Sequence, residues 1–124
     1  MRILVCGGRD YADTCALAEA LDAIGRETAI THLIHGAARG ADSLAAAWAK
    51  GRGIPAPAFP ADWRKDGRAA GFLRNAAMLR DGRPDLVVAF PGGKGTAHMV
   101  KLARAAGVPV REIAEPAALQ GGRP

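Results

Sequence analysis

A chain of 124 residues, 49% hydrophobic and 23% charged, has the size of one globular domain with one core, which excludes a two-domain reading and removes any need for a disulfide or metal in folding. The net charge of +5 and isoelectric point near 9.9 invite phosphate or nucleic-acid partners, although the arginines are spread along the chain rather than gathered in one block. The apolar opening Ile3 to Cys6 is too short for a signal-peptide core or a membrane span, and the isolated Cys6 and Cys15 lack Cys-x-x-Cys spacing, so the expectation is a cytoplasmic protein with no membrane partner.

In chain order, Arg2 to Cys6 is an apolar run closed by Gly7-Gly8, as for a buried strand entering a tight turn. From an N-cap at Asp13 the residues Leu17, Leu21 and Ile24 recur at helical spacing to about Glu27. Ile30 to Ile34 makes a second strand stopped by His35-Gly36, and Ala41 to about Lys50 an alanine-rich helix. Pro55 to Phe59 reads as a weaker third strand, because two prolines remove ladder donors and favour an edge. A loop from Pro60 to Arg68 carries Trp63 among charges and precedes a helix from about Ala69 to Arg80, with Phe72, Leu73, Ala76 and Leu79 as its apolar positions. Leu86 to Phe90 is the most strand-like segment; a helix from Thr96 to about Ala106 and a last strand from Val108 to Ile113 come after it. This alternation predicts a single α/β domain over residues 1–114, Rossmann-like, with about five parallel strands and helices on both faces. Residues 115–124 have no periodicity and are expected to be a flexible tail.

Three strand-to-helix turns carry the candidate site, since ligands of such sheets lie beyond the carboxyl ends of the strands. Pro91-Gly92-Gly93-Lys94-Gly95-Thr96 joins a strand end to a helix start; glycines let a ligand approach the backbone, and the first helical N–H groups attract an anion. Thr96 could cap that helix or donate its hydroxyl to a phosphate. The segment is not a Walker loop, because Val88 stands where the first glycine belongs and Gly95 comes after Lys94. In the first turn, Gly7 and Gly8 precede Arg9 and Asp10, which could serve a ligand as cation and acceptor or form an exposed pair. Tyr11 in the third glycine's place, and His35 rather than an acid after the second strand, argue against a dinucleotide site. The second turn supplies Gly36, Arg39 and Gly40, with Asp42 either capping the helix or reaching a ligand. On the next helix Arg74 and Met78 share a face, with Asn75 beside Arg74. His32, His35 and His98 lack metal-ligand spacing, so no metal and no cofactor are expected.

Gly7 to Asp10, His35 to Asp42, Ala70 to Met78 and Asp85 to Thr96 together resemble the YspA-like, YpsA-related branch of the SLOG superfamily. The resemblance implies a Rossmann-like domain that binds or senses a nucleotide or phosphoribosyl-derived ligand, and a homo-oligomer, since relatives dimerise through helices beside the sheet. Two relatives set the alternatives. Arg74-Asn75-Ala76-Ala77-Met78 and Pro91 to Thr96 are similar to the Arg-Lys-x-x-Met and Pro-Gly-Gly-x-Gly-Thr-x-x-Glu segments of the Lonely Guy phosphoribohydrolases, N-glycosidic hydrolases of nucleoside monophosphates. Met99 stands where that family has its catalytic glutamate, leaving no obvious group to stabilise an oxocarbenium-like charge. Gly36 to Asp42 is similar to a segment of the DNA-processing protein A family, which raises single-stranded DNA as a partner, although aromatic residues are only 5% of the chain.

Overall fold

The computed structural model describes residues 1–114, and the expected tail from Glu115 to Pro124 lies outside the described residues. In chain order the elements are β1 (Arg2–Cys6), α1 (Thr14–Glu27), β2 (His32–Ile34), α2 (Ala41–Gly51), α3 (Trp63–Asp66), α4 (Ala70–Gly82), β3 (Leu86–Ala89), α5 (Lys94–Ala105) and β4 (Val110–Glu112), with one 3₁₀ turn over Gly67–Ala69. The strands form a parallel sheet in the order β2-β1-β3-β4, in which Leu4 pairs with Ile34 on one side and Val87 on the other. None of the described helices is long and apolar enough to cross a membrane.

Side-chain alternation along the strands builds two apolar layers, one on each face. Ile3, Val5, Leu33 and Val88 meet α1 and α2 through Leu17, Leu21, Ile24, Ala45 and Trp48. Leu4, Cys6, Ile34, Val87 and Ala89 meet α4 and α5 through Met78, Met99, Val100 and Ala103. Each fully buried large side chain contributes about 1.5–3 kcal/mol, which is why continuous apolar strands suit a sheet covered twice. Asp13 caps α1 by accepting the Ala16 N–H at 3.0 Å. Asp22 on α1 locks α2 in place, accepting from Trp48 Nε1 at 3.0 Å and from both Nε and Nη2 of Arg52.

The expected loop from Pro60 to Arg68 holds α3 and most of the 3₁₀ turn, and three further sequence expectations change. Among the described residues the sheet has four strands, not about five, and the prolines explain the difference. Residues 55–59 do run parallel to β2, with Leu33 N–H donating to Pro55 O, His35 N–H to Pro57 O and Phe59 N–H to His35 O. The rung that Leu33 O would accept comes from position 57, where proline has no N–H, so only the isolated bridge His35–Ala58 remains. On α4 the buried face is Ala70, Asn75, Met78 and Gly82, while Phe72 and Leu73, expected as apolar core positions, are half exposed. The helix α5 begins at Lys94 with Gly93 as N-cap, so Thr96 lies inside its first turn and does not cap it.

The strand order also opens a crevice. The chain leaves β1 for β2 on one side and returns to β3 on the other, so the helices that follow β1 and β3 lie on opposite faces of the sheet, with the switch point at the carboxyl ends of those strands.

Candidate functional site

The turn after β1 is held between its neighbours by backbone bonds. Phe90 N–H donates to Cys6 O at 2.9 Å, Gly8 N–H donates to Pro91 O at 2.8 Å, and Gly8 O accepts from Tyr11 and Ala41 N–H groups, each at 3.2 Å. Close approach sorts the glycines into two kinds. A Cβ on Gly7 would lie 2.6 Å from Ala41 Cβ, and one on Gly92 would overlap Thr96 Oγ1 and sit 2.7 Å from Gly8 N. A Cβ on Gly40 would overlap Gly8 O, and Gly40 has φ of +79° besides. These glycines let three turns pack against one another. Gly93 and Gly95, by contrast, have nothing among the described residues within 4 Å of an added Cβ, so that side of each residue is open.

The turn after β2 is fixed by side chains. Asp42 is buried, and its Oδ2 accepts the Gly36 N–H at 3.1 Å and the Ala38 N–H at 3.2 Å. Between them Ala37 adopts φ of +59°, and its N–H donates to His35 Nδ1 at 3.0 Å. That bond requires an unprotonated Nδ1, in accord with burial holding the imidazole below its ordinary pKa. Burial raises the Asp42 carboxyl above the usual carboxylate range, opposed by the Ala38 amide, Arg74, His35 and the Gly36 amide. Asp42 thus organises the turn rather than capping α2, whose N-cap is Gly40.

Removing that acceptor strands the buried Gly36 N–H and the partly buried Ala38 N–H, and an unsatisfied buried group costs about 1–3 kcal/mol. Asp42→Ala is therefore expected to lower unfolding stability by about 2–4 kcal/mol, whereas Asp42→Asn keeps an acceptor oxygen and sheds the buried charge, staying close to the parent. Urea unfolding of the three chains across pH checks this. Because the folded carboxyl has the higher pKa, stability falls as pH rises from the ordinary carboxylate range through the folded value. The Asn variant lacks that slope.

The crevice between the turns is a cleft of about 350 Å³. Arg9, Arg68, Arg74 and Lys94 stand around it, and Asp42 is the one carboxylate among the described residues that line it. Arg74 reaches across from α4, donating through Nη1 to Gly36 O and through Nε to Asn75 Oδ1 at 3.1 Å. Burial lowers the Arg74 guanidinium, Asp42 raises it and Arg9 lowers it. Asn75 is buried and ties α4 to α5, its Nδ2 3.2 Å from Gly95 O and 3.0 Å from His98 Nδ1. At the start of α5 no side chain among the described residues caps the helix, and the first intrahelical bond is Ala97 N–H to Gly93 O. The N–H groups of Lys94, Gly95 and Thr96 therefore have no acceptor within the helix.

Of the candidate residues, Gly7, Arg9, Asp42, Arg74, Asn75, Gly93, Lys94, Gly95 and Thr96 line this cleft. Gly36 and Arg39 line an adjoining depression of about 420 Å³ that shares Arg9, Ala38, Trp63 and Arg74 with the cleft. Asp10 is almost wholly exposed and pairs with Arg39 at 3.4 Å rather than with Arg9, which turns to the cleft. Gly8 and Gly40 serve the packing of the turns. Pro91 and Gly92 border a different hollow, beside Lys101 and Arg104 on the far side of α5. Trp63, Arg68 and Phe72 also line the cleft, outside the candidates read from the sequence. Arg68 sits in a 3₁₀ turn that no motif marks, and Phe72 has the spacing of a core position. Among the described residues no three His, Cys, Asp or Glu side chains gather as a metal site.

Comparison with known proteins gives two findings. Residues 1–65 match a family model described as YAcAr: YspA, cpYpsA-related SLOG family, a span that includes the turns after β1 and β2. The Gene 61 protein of Mycobacterium phage D29 is 38% identical over 117 residues, covering 88% of this chain and 93% of the phage protein.

Proposed function

Because the chain belongs to the YspA, cpYpsA-related SLOG family, we propose that it binds or senses a nucleotide or another phosphoribosyl-derived ligand, with the phosphate on the N–H groups of Lys94 to Thr96. The observation that carries this reading is the charge of the cleft. Four cations face one buried carboxylate, beside an uncapped helix start whose dipole also favours an anion. Arg74 is already committed to Gly36 O and Asn75 through two of its nitrogens, so its guanidinium is oriented before any ligand arrives. A phosphate beside it would relieve the repulsion between Arg74 and Arg9.

Binding fits this wall better than bond cleavage does. Hydrolysis of an N-glycosidic bond needs a carboxylate free to stabilise developing positive charge or to activate water. Asp42 spends Oδ2 on two amides of its own turn.

Lys94 offers a test in which stability and affinity move apart. It is exposed at the first position of α5, so Lys94→Glu places a negative charge where the helix dipole favours one, worth about 0.3–1 kcal/mol of added stability. The same carboxylate would repel a bound phosphate. Calorimetry over the 5′-mono-, di- and cyclic nucleotides is expected to find binding that Lys94→Glu weakens about tenfold or more, with a melting temperature unchanged or raised. No binding across the panel, or binding indifferent to Lys94→Glu, removes the reading.

A further inference from the structure

Among the described residues three large apolar side chains are half exposed, namely Trp63, Phe72 and Leu73, and the first two line the charged cleft. The whole chain has only two tryptophans, one tyrosine and three phenylalanines, so two of its six aromatic rings stand at the mouth of one cavity. Burial of such rings is worth about 1.5–3 kcal/mol each, and leaving them wet forgoes it. Neither position is an accident of a loose loop. Asp62 caps α3 by accepting the Lys65 N–H at 3.1 Å, which fixes the turn that carries Trp63. The indole edge rests on the start of α4, with Cη2 3.5 Å from the Cβ direction of Gly71. Arg9 lies over the indole at 5.4 Å from its centroid. Phe72 is held in turn by the His98 ring, 4.2 Å away between centroids. Both rings are thus oriented while half of each remains open, 51% for Trp63 and 50% for Phe72.

We infer that Trp63, with Phe72 beside it, is the platform for a planar aromatic group of the ligand, the nucleobase, and so the residue that distinguishes a nucleotide from a simple sugar phosphate. This rests on the reading that places a phosphate at the start of α5. The two ends of one cleft then divide the work. Lys94, Gly95 and Thr96 take the anion, while the indole, with Arg9 over one face, offers its other π face for a base to stack on. The cleft volume of about 350 Å³ falls within the range for small-molecule sites. Trp63 also borders the adjoining depression, so a base on it would reach toward the turn after β2. Stacking of this kind tolerates every base, so the platform separates aromatic from non-aromatic ligands more sharply than one base from another.

The experiment compares ribose 5-phosphate with the 5′-monophosphates of adenosine, guanosine, cytidine and uridine, by calorimetry and by tryptophan emission. Trp48 is buried and Trp63 half exposed, so a stacked base should quench the exposed indole while ribose 5-phosphate leaves it bright. The parent chain is expected to hold the best nucleotide about tenfold or more tighter than ribose 5-phosphate. Trp63→Leu should bring nucleotide affinity down to that of ribose 5-phosphate, and Trp63→Phe should restore part of the difference. Melting temperature confirms that both variants fold, as expected for an exposed position. Equal affinities for nucleotide and ribose 5-phosphate in the parent, with both lost in Lys94→Glu, overturn the platform and leave the phosphate site standing. Trp63→Leu weakening both ligands alike overturns it too. Failure of every phosphate ligand to bind ends both readings.

Discussion

Gly40→Ala is expected to cost about 4 kcal/mol or more of stability, lowering the melting temperature by roughly 15 °C or leaving no folded protein. Two effects add at this position. Its φ of +79° lies where a side chain costs of order 1–3 kcal/mol. The new methyl would also overlap Gly8 O and stand 2.5 Å from Arg9 O. Those atoms cannot retreat, because Gly8 is bonded to Pro91 on one side and to Tyr11 and Ala41 on the other. Gly53→Ala is the matched comparison, since Gly53 has φ of +68° and nothing within 4 Å of an added Cβ. It should show the conformational cost alone, on the order of 1 kcal/mol. Thermal and urea unfolding of the pair compares a crowded positive-φ glycine with an open one. If Gly40→Ala proves no worse than Gly53→Ala, the three turns do not pack against one another.

Met99→Glu, which completes the Pro-Gly-Gly-x-Gly-Thr-x-x-Glu pattern, is expected to destabilise the protein by about 4 kcal/mol or more at neutral pH and to produce no base release from AMP. Met99 has no exposed surface and packs with Leu4, Cys6, Met78 and Val87 beneath the cleft. The same layer already acts on Cys6, whose thiol is pushed up to about 12, chiefly by burial and then by Asp42 and Glu112. A glutamate there would prefer its neutral form, its folded pKa above the ordinary value near 4.3. Stability would then be greatest in acid and would be lost as pH rises through the folded pKa. Urea unfolding from pH 4 to pH 8 shows the slope. A Met99→Glu chain as stable as the parent at every pH, or one that releases base, would mean that position 99 opens on the cleft.

Much of the fold was legible because burial on both faces writes itself into a sequence. Ile3 to Val5 and Leu86 to Ala89 are continuous apolar runs since each strand serves two layers, and Leu17, Leu21 and Ile24 mark the inner stripe of α1. The α4 helix is harder to read. Its inner face uses Ala70, Asn75, Met78 and Gly82, of which only Met78 is large and apolar, so Phe72 and Leu73 have the look of core. Asn75 is buried because its amide meets Gly95 O and His98 across the helix pair, a partnership between residues 20 and 23 positions apart.

The three glycine-rich turns can be located from the sequence alone, because glycine before a helix start has a local meaning. What each glycine does cannot. Gly40 and Gly92 yield space to the backbone of Gly8, while Gly93 and Gly95 are open on the side where a Cβ would stand, and the difference depends on which turns the strand order brings side by side. Composition likewise sets the excess of positive charge, but the gathering of Arg9, Arg68, Arg74 and Lys94 around one cleft belongs to the tertiary structure. Local period and turn chemistry act over a few residues and can be read in a line; close approach, burial of polar groups and convergence of charge arise between residues far apart in the chain, and only the packed sheet decides them.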